Sequence, residues 1–277
     1  MSLIGIHTSD GVVRTCSVGD NGKLEYTDCA DVETSFTIDD FLSPAERFAP
    51  EISNCLRDRN QPVSVSLPGG AFQTRRVPLE VAEEVDRRSQ VDWEVGQTLA
   101  ARKGDYSVEY AVRGSSAIWI AISHRCIEAI TLAFETCGVS VASICAGPVA
   151  LLQVLVREHP VGAATAILAE SGWVSTVVIE DSALVSLTTD RAAEHARRDE
   201  RSELREFASG QTAQPSVDVP VPVYYVGRTD LLTDSCSVSN GSRALLPPAG
   251  KRDNREKDTL TTVAYGAALL AISEKPI

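Results

Sequence analysis

Lysine is scarce in this sequence. It stands only at Lys23, Lys103, Lys251, Lys257 and Lys275, within a basic total of 26 set against 38 acidic residues, which leaves a formal net charge of −12. A protein that grips nucleic acid through its phosphates carries a basic face. The one basic cluster here, residues 191–205, is interleaved with acidic side chains, so nucleic acid is not an expected partner. Enzyme signatures are missing as well. There is no GxxxxGKS/T phosphate loop, no GxGxxG after a strand, no GxSxG elbow and no HExxH zinc motif. The four histidines, His7, His124, His159 and His195, are scattered, as surface or hydrogen-bonded histidines are, and do not cluster as bases. Asp39-Asp40 and Glu83-Glu84 sit in charged surroundings and serve solubility. None of the seven cysteines forms a CxxC pair, none lies with a histidine at a spacing that suggests a zinc site, and the number is odd. That pattern excludes a zinc site and fits buried free thiols in a reducing compartment. Apolar runs fall short of a membrane span, and Met1 to Ile6 has neither a basic nor an extended apolar leader region. The expectation is a cytoplasmic protein that reaches a membrane only through a partner.

With 277 residues and 43% hydrophobic content, the chain can build one large domain or two lobes. Its most readable stretch is residues 63–101. Val63, Val65 and Leu67 alternate as a strand, Pro68-Gly69-Gly70 breaks it, residues 71–77 extend again, and Pro78 stops them. A charged helical stretch follows. Its apolar stripe is Val81, Val85, Val95 and Leu99, with Arg88 and Asp92 spaced to pair. Strand, turn, strand and helix form a small αβ unit set between parts of a larger fold.

That larger fold opens with a strand at Leu3–Ile6, a polar turn at His7-Thr8-Ser9-Asp10-Gly11, and a second strand that turns back at Asp20–Lys23. Residues 44–59 carry Phe48, Ile52 and Leu56 at helical spacing. After the inserted unit come strands at 106–112 and 117–122. A helix with Ile127, Ile130, Phe134 and Cys137 on one face follows, then a strand at 139–144 and a helix opened by Pro148. From about Val161 the opening pattern returns: strand, polar turn at Glu170-Ser171-Gly172, strand, turn, strand. Residues 191–207 read as a solvated charged helix, 210–222 as a Pro/Ser/Thr/Gln linker, and 223–226 as a buried strand ending in Gly227. Residues 259–272 read as an Ala-rich helix in which Gly266 permits close packing. A polar turn between two strands can hold a phosphate, but it is equally any β-hairpin.

Two lobes that each open in this way, with an insertion in the first, resemble the actin-like ATPase superfamily. The insertion resembles that of the cell-division protein FtsA and, more closely, that of PilM-type type IV pilus assembly proteins. The residues that carry the likeness begin with Ser66-Leu67-Pro68-Gly69, Thr74-Arg75-Arg76-Val77-Pro78 and Val91-Asp92-Trp93-Glu94-Val95-Gly96-Gln97. It continues through Asp105-Tyr106 to Tyr110, Ile118 to Ser123, Cys137-Gly138-Val139, Glu170-Ser171-Gly172 and Ser175-Thr176, and ends at Ala264-Tyr265-Gly266-Ala267-Ala268-Leu269. The resemblance implies an α/β, two-lobed actin-like fold (RNase H-like, duplicated) with a small inserted αβ subdomain and a reduced second lobe. The expected divisions are 1–62 for the first lobe, 63–138 for the insertion, 139–160 for the return of the first lobe and 161–277 for the second.

In that superfamily the two polar turns hold ATP and Mg²⁺ between the lobes, with an aspartate in each. By resemblance, Thr8, Ser9, Glu170, Ser171, Gly172, Ser175, Thr176 and Gly227 are the candidate, vestigial nucleotide site. The chain departs from the pattern in three places. His7 replaces the first aspartate and is a poor Mg²⁺ ligand. Glu170 replaces the second and is one methylene longer. Gly227-Arg228 stands where a double glycine is usual. The resemblance therefore implies a scaffold with no catalytic residues, no resident metal and no cofactor. Its place is a type IV pilus or type II secretion-like inner-membrane platform, where it binds the cytoplasmic tail of a PilN-type bitopic membrane protein in a groove beside the insertion. Contact with the membrane would then be indirect, and self-association is open. Two alternatives stand: an ATP- and Mg-binding actin-like switch or ATPase, and a sugar or acetate kinase relative.

Overall fold

The computed structural model describes residues 2–9, 11–31, 51–80, 83–100, 104–170, 172–192, 221–227, 243–244 and 259–272. Expectations for residues 32–50, 193–220 and 228–242, including the charged helix, the linker, His195, Arg228 and Cys236, lie outside them.

Two mixed five-stranded sheets repeat one plan. In the first, β1 (Leu3–Ser9), β2 (Val12–Val18) and β3 (Leu24–Asp31) form an antiparallel meander. β4 (Val63–Leu67) then joins β1 in parallel and β8 (Val141–Ala146) joins β4 in parallel, giving the order β3-β2-β1-β4-β8. In the second, β9 (Ala163–Glu170), β10 (Trp173–Glu180) and β11 (Ala183–Arg191) form the meander. β12 (Val223–Gly227) and β13 (Arg243–Ala244) are added in parallel, giving β11-β10-β9-β12-β13. The repeated opening pattern is thus a structural duplication. Local chemistry sets the turns: Gly11 and Gly22 take positive φ, and Asp181-Ser182 does so between β10 and β11.

Helices α3 (Gly147–Glu158) and α4 (Thr261–Ile272) pack on each other between the sheets. Residues Thr261 to Leu269 of α4 are buried on every side, as expected of a helix apolar all round. Two glycines make this fit. A Cβ at Gly5 would lie 1.8 Å from the Ala264 carbonyl oxygen, and one at Gly266 would lie 1.9 Å from that of Ala150. Neither position has room for a side chain.

The inserted subdomain is smaller than the sequence suggests. Val63–Leu67 belongs to the first-lobe sheet, paired on both sides. The small sheet, order β5-β7-β6, is built from β5 (Gln73–Pro78), β6 (Tyr106–Arg113) and β7 (Ser116–Ser123), with α1 (Glu84–Leu99) over it. Helix α2 (His124–Thr136) also belongs to the first lobe, because Cys126, Ile130, Ala133 and Phe134 join the cluster of Ile4, Ile6 and Val65. The insertion therefore runs from about β5 to β7, not from 63 to 138. On α2, Ile127 and Cys137 flank the buried face and do not lead it. On α1 the buried residues are Val91 and Val95, while Val85 points to solvent. Of the expected stripe, Val95 is buried and Leu99 packs against the same core, Val85 is exposed and Val81 lies outside the described residues; Val91 takes the place expected of Val85. Arg88 and Asp92 do pair, at 3.1 Å.

Strand β7 shows how the insertion is seated. Ala117, Trp119 and Ala121 face α1 with Val91 and Val95. The alternate residues face the body: Ile118 joins the core of the interlobe helices and second lobe, Ile122 joins the first-lobe core, and Ile120 touches both. Period-two alternation thus makes one strand a bridge between three cores. Arg113 at the end of β6 pairs with Glu180 of β10 and fixes the same contact at its rim.

Candidate functional site

The ends of β1 and β9 meet at the junction between the lobes; His7, Thr8 and Ser9, expected in a turn, are the last residues of β1, and Glu170 is the last of β9. His7 lies near the end of β1, where all seven residues are buried. Ser66 lies beside it on β4, in parallel register with His7. Glu170 ends β9 in the other lobe. His7 and Glu170 are 0% and 1% exposed. With its proton on Nε2, His7 donates to Glu170 Oε2 at 2.5 Å, and Ser66 Oγ lies 2.7 Å from Nδ1. The Ile6 carbonyl, 3.2 Å from the same hydroxyl, competes for its proton. The backbone N–H of Gly69 donates to Glu170 Oε1 at 3.3 Å. The second-lobe carboxyl is therefore held by two first-lobe donors.

Trp173 closes the junction beside this pair. A Cβ at Gly69 would lie 2.4 Å from the Trp173 Cβ, and one at Gly70, whose φ is +87°, would lie 2.9 Å from the indole Nε1. The Pro68-Gly69-Gly70 turn, read from sequence as a strand breaker, is thus the seat of a second-lobe tryptophan. The Arg191 guanidinium stands 5.6 Å from the centre of that ring.

The other candidates are used locally. Ser9 accepts from Arg14 Nη1 at 3.2 Å. Thr8 is buried, and its hydroxyl has no partner among the described residues. Ser175 Oγ lies 2.9 Å from Thr189 Oγ1 across β10 and β11, and Thr176 sits between Thr188 and Ile167 in the same sheet. Gly172 takes a positive φ with open space around it. Gly227, at φ +98°, passes so close to β9 that a Cβ would lie 2.0 Å from the Ala169 carbonyl oxygen, and its N–H bonds to Thr259 Oγ1 at 2.7 Å. Ser171 lies outside the described residues. The structure brings His7 and Glu170 together and keeps Ser175, Thr176 and Gly227 in the framework of the second lobe.

Mg²⁺ with a nucleotide needs several oxygen ligands and room for water. At the junction both oxygens of Glu170 are taken by donors, His7 offers a nitrogen already in use, and Trp173 covers the glycine turn. No group of three or more His, Cys, Asp or Glu among the described residues could hold a metal ion. These residues do not fit Mg·ATP.

Sequence reading missed two members of the site. Ser66 stands in the sequence only as the first residue of the Ser66-Leu67-Pro68-Gly69 motif, with no site role attached to it. All five residues of β4 are buried, and Ser64 bonds to Ser143 and to the Ala267 carbonyl. Trp173 had one available signal: a large aromatic directly after the second polar turn.

Of the described cysteines, Cys16, Cys126 and Cys145 are buried as expected, whereas Cys29, Cys55 and Cys137 are half-buried. Cys16, Cys29, Cys55, Cys126, Cys137 and Cys145 are free. Burial pushes the Cys126 thiol up to about 11 and that of Cys145 up to about 12, and it also raises Cys16.

The doubled sheet order and the interlobe helix pair define a two-lobed actin-like fold with an inserted subdomain. Comparison with solved structures agrees with this fold. The PilM–PilN type IV pilus biogenesis complex superposes with a TM-score of 0.72 at 17% identity, over 98% of this chain and 98% of that one. The cytoplasmic domain of EpsL, an inner-membrane component of the type II secretion system of Vibrio cholerae, superposes with a TM-score of 0.53 at 9% identity, over 97% and 95%. No family model and no curated protein matches the sequence. No helix among the described residues is long and apolar enough to cross a membrane.

Proposed function

We propose that the chain is a cytoplasmic, PilM-like scaffold of a type IV pilus or type II secretion-like assembly platform. It takes the cytoplasmic tail of a PilN-type bitopic membrane protein and does not hydrolyse ATP. The observation that carries the reading is the end-to-end likeness to a PilM–PilN structure, which includes the inserted subdomain. The donor-saturated junction supports the second half, because Glu170 and His7 are spent on each other. Trp93 supports the first half. It lies in the stretch that resembles the PilM insertion, yet it is 61% exposed on a helix that buries Val91 and Val95. A large aromatic kept out of the core is available to a partner. Recruitment through a tail would bring the chain to the membrane without an anchor of its own.

The test is calorimetric titration with a synthetic peptide of the cytoplasmic tail of a PilN-type bitopic membrane protein. Saturable binding that Trp93→Ala weakens is expected. No binding by a chain that is folded by circular dichroism overturns the pilus reading. In the same instrument Mg·ATP should give no saturable heat, and micromolar binding would overturn the nucleotide-free part.

A further inference from the structure

We propose that the interlobe junction is an oxyanion seat built by the first lobe and filled by the chain's own Glu170, so that an internal carboxylate clasps the two lobes. The seat has three walls. His7 Nε2 donates at 2.5 Å and the Gly69 N–H at 3.3 Å, each to a different oxygen of the carboxylate. The third wall is the N-terminus of α3, a helix of 12 residues whose first turn holds no acidic side chain. A Cβ placed on its first residue, Gly147, would lie 3.3 Å from Glu170 Oε1, so the carboxylate sits against the opening of the helix. The dipole at such an end favours negative charge, while Pro148 in the first turn contributes no N–H. With the proton on His7 Nε2, both carboxylate oxygens accept, each from a different donor. Ser66, behind His7, orients the imidazole.

A backbone N–H from a glycine turn, a side-chain N–H and a helix N-terminus converging on one buried anion would hold formate, acetate or phosphate equally well. The chain supplies the anion itself, from the far lobe, and thereby converts a ligand site into a clasp. The inference does not depend on whether a membrane partner binds.

The experiment removes the internal anion and offers a free one. Glu170→Ala should lower Tm by about 10 °C, as expected for breaking a buried pair in a chain of this size. Formate or acetate at about 0.1 M should restore part of that loss by mass action, relative to equal chloride. Wild type and Glu170→Gln, whose seats are filled, should show no such difference. If Glu170→Ala does not fold in chloride, purification in formate should yield folded protein. Equal Tm of Glu170→Ala in formate, acetate, phosphate and chloride would overturn the proposal. So would failure to fold in any of these salts while Glu170→Gln matches wild-type stability and retains wild-type hydrogen-exchange protection at Gly69.

Discussion

At the junction His7, Ser66 and Glu170 are buried and bind one another, whereas on α1 Arg88, Asp92 and Trp93 stand in solvent. Both regions hold the polar and aromatic residues that usually carry function. They differ in what those residues have left to offer. At the junction every donor and acceptor named in the clasp has found a partner inside the chain, so chemistry there would first have to break the fold. On α1 the helix is held from beneath by Val91 and Val95, while Arg88 meets Asp92 at 3.1 Å and stands 5.8 Å from the centre of the Tyr110 ring at the water-facing side. The difference teaches that the polar residues of the junction are committed to joining the lobes, whereas Trp93 on α1 is left exposed.

Mutation should separate the two regions sharply. His7→Ala leaves Glu170 buried without its side-chain donor. The expected loss is about 3–5 kcal/mol, read as a lower midpoint in urea, with increased hydrogen exchange along β1 and at Gly69. A loss below about 1 kcal/mol would mean that the junction is wetter and looser than the contact distances indicate. Next in size is Gly70→Ala. The new methyl group would meet the Trp173 indole at 2.9 Å on a backbone at φ +87°. About 2 kcal/mol of destabilisation is expected from strain and contact together, with a change in tryptophan fluorescence. The same exchange at Gly172, which has open space around it, should cost only the backbone term of about 1 kcal/mol.

The sequence carried the architecture further than the site. The duplication was legible because each meander uses turn residues at fixed places between β-rich runs, a local signal. Gly266 was legible for the same reason: close helix contact leaves a mark at one position. The borders of the insertion were not legible. Val63–Leu67 is contiguous with the Pro-Gly turn in sequence but pairs with β1 and β8 in space, and no local pattern encodes a partner strand far along the chain. The clasp was hidden for a related reason. His7 and Glu170 were each singled out as replacements, but their separate positions do not say that they would satisfy each other. A polar alternation such as that of β4 looks half-exposed until the interlobe packing is known.

The buried thiols supply a smaller effect, confined to alkaline pH. Burial raises Cys145 from 9.0 to about 12 and Cys126 from 9.0 to about 11. In the unfolded chain the thiols ionise first, so as pH rises above about 9 the unfolded state loses protons that the folded state keeps. Stability from these groups is therefore complete below about pH 9 and declines towards pH 11–12. Urea midpoints measured at about pH 8 and about pH 10.5 should show a decline that Cys145→Ala makes shallower. An unchanged slope would show that Cys145 does not contribute to it.

The smallest effects belong to the outer face of α1, and there smallness is the point. Arg88 and Asp92 form an i,i+4 pair with both side chains partly in water, where screening and side-chain entropy leave about 0.3–0.5 kcal/mol. Arg88→Ala should therefore shift the urea midpoint barely at all, and added salt should erase what shift there is. Trp93→Ala should be as silent in stability, since surface changes of this kind stay within about 0.5 kcal/mol, while weakening capture of the membrane partner's tail. The contrast with His7→Ala then becomes a double dissociation: the junction variant loses stability and the α1 variant loses binding. If Trp93→Ala instead destabilised the chain by about 2 kcal/mol or more, its indole would be packing against the fold, and the face of α1 would have to be counted with the core it covers.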